Sequence, residues 1–161
     1  MRRSLLAAAI AGSIVLAGGW ALAQHAGHAS HHGSRAPAAD SRELVKFPPE
    51  LVAHTLANMR DHLLALQEIN EALSRGENDK AAAISEERLG MTSLRLHGAH
   101  EVAKYMPRGM QDAGSEMHRS ASRFAIEAQN SGVTGDLKPA LAALSNVMSQ
   151  CVGCHAGYRL K

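Results

Sequence analysis

Four stretches of the chain repeat apolar residues at alternating steps of three and four, the spacing that lines one face of an α-helix. In the first, Leu56, Met59, Leu63, Leu66 and Leu73 form the stripe. Pro48, Pro49 and Glu50 open it and Gly76 stops it, which predicts a helix running to about Arg75. A second helix is predicted over Asn78 to Lys104, with Ile84, Met91, Leu94, Val102 and Tyr105 near one face and Pro107 forcing its end. A third starts near Arg108 and carries Met110, Ala113, Met117, Ala121, Phe124 and Ala128 until Asn130, Gly132 and Gly135 break the pattern. Asp136 is placed to cap a fourth, with Pro139 tolerated in its first turn. There Leu137, Leu141, Leu144, Met148, Cys151, His155 and Tyr158 follow one unbroken alternation, which turns the cysteines toward the core. No segment competes as a strand, and the connections are short. The expected fold is therefore all-α, an antiparallel up-down-up-down four-helix bundle over residues 47–161.

The first 23 residues read differently. Met1-Arg2-Arg3-Ser4 precedes an apolar run from Leu5 to Leu16, and Ala21-Leu22-Ala23 has the small-x-small form of a signal-peptidase site. The run is short for a membrane span, so cleavage after Ala23 and a soluble periplasmic product are expected. Residues 24–46 are rich in His, Ala, Gly and Ser without an apolar period, which predicts a disordered leader. His25, His28, His31 and His32 crowd within it and are able to bind copper, nickel or zinc, giving metal binding through the leader as one reading.

Composition narrows the function. Of 17 basic residues Arg2 and Arg3 fall in the signal, leaving 15 against 15 acidic ones. That balance shows no clustered basic surface and excludes nucleic acid as the expected partner. Phe47, Tyr105, Phe124 and Tyr158 are the aromatic residues left after the signal, so a buried cofactor would help fill the core.

The strongest chemical signal is Cys151-Val152-Gly153-Cys154-His155, a C-x-x-C-H sequence. On a helix the two thiols project to one side and can form thioethers with the two vinyl groups of one porphyrin. His155 can then supply a nitrogen to the iron. A dithiol oxidoreductase would place its C-x-x-C at a helix N-terminus beside a βαβ pattern, and a structural zinc site would need a fourth ligand. With only three residues of spacing, a disulfide would constrain little chain entropy. One covalently attached haem c is the expected cofactor, and export agrees with it.

The run Cys151-Val-Gly-Cys-His-Ala-Gly-Tyr158-Arg159 resembles the C-x-x-C-H-x-x-Tyr-Arg ending of cytochrome c prime and the class II c-type cytochromes. The resemblance extends from Phe47 to Lys161 by helix order and is specific in the last helix. It implies a periplasmic four-helix haem protein, an electron carrier or ligand-binding protein and not an enzyme, with redox proteins as partners. It also implies a basic residue near the proximal histidine, here Arg159, and a homodimer built through the first two helices.

In that family the first helix lines the distal side of the haem. Met59 is the leading sixth ligand because a thioether can coordinate haem iron opposite histidine, although a core methionine would occupy the same stripe. His62, one turn on, is the other candidate ligand, read otherwise as a solvated boundary residue. Arg60 resembles by neighbourhood the first-helix arginine that pairs with a haem propionate. Six-coordinate iron would suit one-electron transfer. Five-coordinate iron would bind nitric oxide or carbon monoxide, the alternative function. Gly90 and Gly98 inside the second helix call for close approach of a porphyrin or a helix, and His97, His100 and His118 form a possible second metal set between the middle helices.

Overall fold

The computed structural model describes residues 39–161. The signal segment, its cleavage point and His25, His28, His31 and His32 lie outside the described residues. The described part is mostly helical, in agreement with the all-α expectation.

Helix α1 spans Pro49–Ser74, with Pro48 at its N-cap. It ends as expected at Gly76, whose φ of 72° is the left-handed conformation glycine adopts freely. Gly76 N–H donates to Leu73 O (3.1 Å) and Glu77 N–H to Ala72 O (2.9 Å), closing the last carbonyls. Helix α2 covers only Asn78–Arg88. The continuous helix expected to Lys104 does not form: a 3₁₀ turn, Met91–Arg95, and a five-residue helix α3, Ala99–Ala103, replace it. Both glycines expected within that helix break it instead. Gly90 is extended before the 3₁₀ turn, and Gly98, at φ 57°, precedes α3. Pro107 then begins α4, Arg108–Thr134, and α5 runs Lys138–Gly157. Asp136 Oδ1 accepts from Lys138 N–H at 3.0 Å, although Leu137 occupies the cap position itself.

Two strands were not expected. Glu43–Val45 (β1) pairs in parallel with Tyr158–Leu160 (β2), Leu44 opposite Arg159, and Lys161 N–H donates to Val45 O at 3.2 Å. β1 lies in the segment read as featureless leader.

Helix α1 packs on α2, α2 on α4 and α4 on α5. The main core joins Ala65, Ile69 and Leu73 of α1 to Ala81 and Leu89, Phe124 and Ala128 of α4, and Leu144 and Val147 of α5. Ser85 Oγ donates to Ala121 O at 3.0 Å across α2 and α4, and Arg88 pairs with both Asp61 and Glu68 to tie α2 to α1. A second small core gathers Val45, Phe47, Val102 and Met110 with Tyr158 and Leu160 at the strands.

The face α1 buries is not the predicted stripe. Thr55, His62, Ala65, Ile69, Ala72 and Leu73 are buried, whereas Leu56, Met59 and Leu63 are 44%, 37% and 70% exposed. The buried face is turned by about one residue position, roughly 100°, because alanines let α1 approach its neighbours closely while the larger side chains flank an open cleft. On α4 five of the six predicted core residues are buried, with Ala113 half-buried.

Candidate functional site

The last turns of α5 carry Cys151 and Cys154, three residues apart, both half-buried free thiols. Burial pushes both thiols above the usual cysteine range, with the neighbouring Cys151 adding to the effect at Cys154, so both stay protonated. Cys151 packs on the main core and Cys154 on the small one. The cysteines therefore stand at the rim of the core, and His155 beside them is exposed.

These three residues form one wall of an apolar cleft. Met59, His62, Leu63 and Leu66 of α1 form another, and Gly114 and Met117 of α4 the floor. Above Gly114 the space is open to the extent that a Cβ there would meet nothing within 4 Å. The cleft explains why Leu63 and Met59 remain uncovered. It is also where the expected site residues Met59, His62, Cys151, Cys154 and His155 come together.

Arg159 and Arg60 are placed elsewhere. Arg159 lies in β2 with its Nε 3.4 Å from Asp40 Oδ2, and the residue that reaches His155 is Arg42, whose Nη1 donates to the His155 carbonyl at 3.4 Å. Hydrogen bonds from Arg42 hold the Asp40 carboxyl well below the ordinary carboxylate range. Arg60 is exposed and outside the cleft lining.

Beside the cleft, α1, α3, α4 and the 3₁₀ segment line a half-open cavity of about 180 Å³ that shares Met59, His62, Gly114 and Met117 with it. His62, His97 and His118, each 7–8% exposed, meet there. His62 Nε2 is 3.3 Å from His97 Nε2, and the ring centroids lie 4.5 Å (62–97), 5.4 Å (97–118) and 6.3 Å (62–118) apart. His118 Nδ1–H donates to Leu89 O at 2.7 Å, while the His97 carbonyl accepts from His54 Nε2 and Asn58 Nδ2, each at 3.1 Å. Desolvation, reinforced by the neighbouring histidines, pushes His62 down to about 4, and burial lowers His97 and His118 as well.

The trio differs from the expected His97, His100 and His118: His100 is exposed, and His62 stands in its place. His62, read as a solvated boundary residue or an iron ligand, is buried beside His97. The signal that pointed to it was its place one turn after Met59, and the wrong helical face obscured it. Comparison with protein-family models, with curated proteins and with solved structures finds no match to this chain.

Proposed function

We propose that the protein is a periplasmic class II c-type cytochrome that carries one haem c and transfers single electrons to and from redox proteins. The observation that carries this reading is the apolar cleft in which the half-buried thiols of a C-x-x-C-H sequence face uncovered side chains of the first helix. Cys151 and Cys154 would hold the porphyrin by two thioethers, and His155 would give the proximal nitrogen. The site fits such a group: two thiols on one helical face, an open floor over Gly114, and an apolar wall with Leu63 unsatisfied by protein contact. Bound there, haem supplies a one-electron iron couple.

The protein residues do the positioning. The α5 helix sets the spacing of the two thiols, and the pairing of β2 with β1 holds the chain just after His155, assisted by Arg42 at the His155 carbonyl. Leu63 and Leu66 would supply the apolar surface that a porphyrin covers, and Met59 stands on the same α1 wall. An up-down-up-down bundle is supported by the three-residue turns between α1 and α2 and between α4 and α5, and by Gly132 facing Asn78 where those turns meet. Binding of nitric oxide or carbon monoxide is favoured as a second reading by the cavity beside Met59, which gives a small ligand room.

Intact mass and a denaturing gel stained for haem, on protein exported in a host that attaches c-type haem, test the proposal. One haem per chain retained under denaturation is expected. Colourless chains with two titratable thiols would overturn it.

A further inference from the structure

We propose a second metal site, beside the C-x-x-C-H cleft and sharing His62 with it: His62, His97 and His118 bind one cuprous ion in the half-open cavity, with a methionine thioether of its wall completing the coordination. The donor set points to the metal. Three neutral imidazoles and the thioethers of Met59, Met106 and Met117 line one cavity, and imidazole with thioether is the combination that selects Cu(I) over the harder divalent ions.

The geometry agrees with a shared ion. Two nitrogens bound at about 2.0–2.1 Å in a tetrahedral site lie about 3.4 Å apart, and ring centroids about 5 Å apart. His62 Nε2 and His97 Nε2 are 3.3 Å apart, and the three centroid separations, 4.5, 5.4 and 6.3 Å, bracket the second value. With His97 Nε2 bare, His62 Nε2–H would be the donor of this contact in the metal-free chain, and metal binding would shift that proton to His62 Nδ1, freeing Nε2 as a neutral ligand.

The outer contacts are those of ligands. His118 gives its Nδ1–H to Leu89 O, which leaves Nε2 as the bare lone pair. Ser93 Oγ donates to Gly90 O at 2.7 Å and so accepts from His97 Nδ1 at 3.4 Å, leaving that ring's Nε2 bare too. A metal-binding histidine is oriented in this way, by its second nitrogen. A separate observation marks the cavity as unfinished: Thr55, 6% exposed, lines it with an Oγ1 that has no hydrogen-bond partner. Burial keeps all three rings in the neutral form that binds metal. Among the described residues no three histidine, cysteine or carboxylate donors are gathered closely enough to hold an ion, so metal binding requires the three rings to move together.

The test uses the mature chain with His25, His28, His31 and His32 replaced by alanine and any free thiol of Cys151 or Cys154 alkylated. Leader binding and failure of haem attachment are thereby kept apart from the result. Cu(I) is titrated against a colorimetric chelator, and the bound metal is examined by X-ray absorption. One Cu(I) per chain in a nitrogen-and-sulfur shell is expected, with affinity falling by about 100-fold in His97→Gln or His118→Gln at unchanged helical circular dichroism. Should both variants fail to fold, the absorption spectrum of the parent decides. No bound copper, a shell without imidazole, or equal affinity in a folded variant overturns the proposal.

Discussion

At the scale of single residues, Met59 decides what the proposed haem iron does. Its side chain borders both the cleft and the cavity beside it, and at 37% exposure it is not locked into the core. His62, the rival ligand, is engaged with His97. In a haem-loaded chain Met59→Ala is therefore expected to convert a sharp, split low-spin visible band of the reduced protein into a broad high-spin spectrum that responds to carbon monoxide. A spectrum identical to the parent's would remove Met59 as ligand. The cysteines and His155 were legible as a motif because a C-x-x-C-H spacing is a local property of the chain. The neighbours of Arg159 and of the His155 carbonyl were not, since Asp40 approaches the first and Arg42 the second from more than a hundred residues away in the chain.

At the scale of elements, helix ends were legible and helix faces less so. Gly76, Pro107 and Gly135 act at the terminus where each stands, through backbone preferences that need no partner. The second helix was overextended because apolar spacing continued through Gly90 and Gly98, two breaks whose combined cost outweighs a weak pattern. Three-residue strands are too short to show a period, and their pairing is wholly non-local. The end of α5 depends on a similar contact: a Cβ on Gly109 would overlap the hydroxyl of Tyr158. Gly109→Ala is expected to lower stability by about 1–3 kcal/mol through overpacking. Tyr158→Phe, which removes the colliding oxygen, should restore much of that loss. Urea denaturation of the two single variants and the double variant gives the coupling, and simple additivity would show that the contact is unimportant.

At the scale of the whole molecule, three histidines from α1, the 3₁₀ segment's flank and α4 are buried together, and they link folding to pH. The folded His62 titrates near 4 against 6.5 for the free side chain, and His97 and His118 are shifted in the same direction. Below pH 6.5 the unfolded chain takes up protons that the folded trio refuses, so stability is full above pH 6.5 and declines as the pH falls toward 4. Asp61 opposes the shift at His62 and His97 without reversing it. Because His97 and His118 contribute to the shift at His62, the decline belongs to the three rings together and not to one of them. Urea midpoints measured from pH 7.5 to 4 in metal-free protein should fall through that window, and a flat profile would contradict the buried neutral trio. By itself the sequence determined the helical class, the places where α1 and α4 start and stop, and the C-x-x-C-H placement, because periodicity, caps and motif spacing are local properties of the chain. Only the tertiary structure decided which face of α1 is buried, that β1 meets β2, and that His62 rather than His100 joins His97 and His118. Those outcomes depend on how closely small residues let whole helices approach, an energy shared among distant segments.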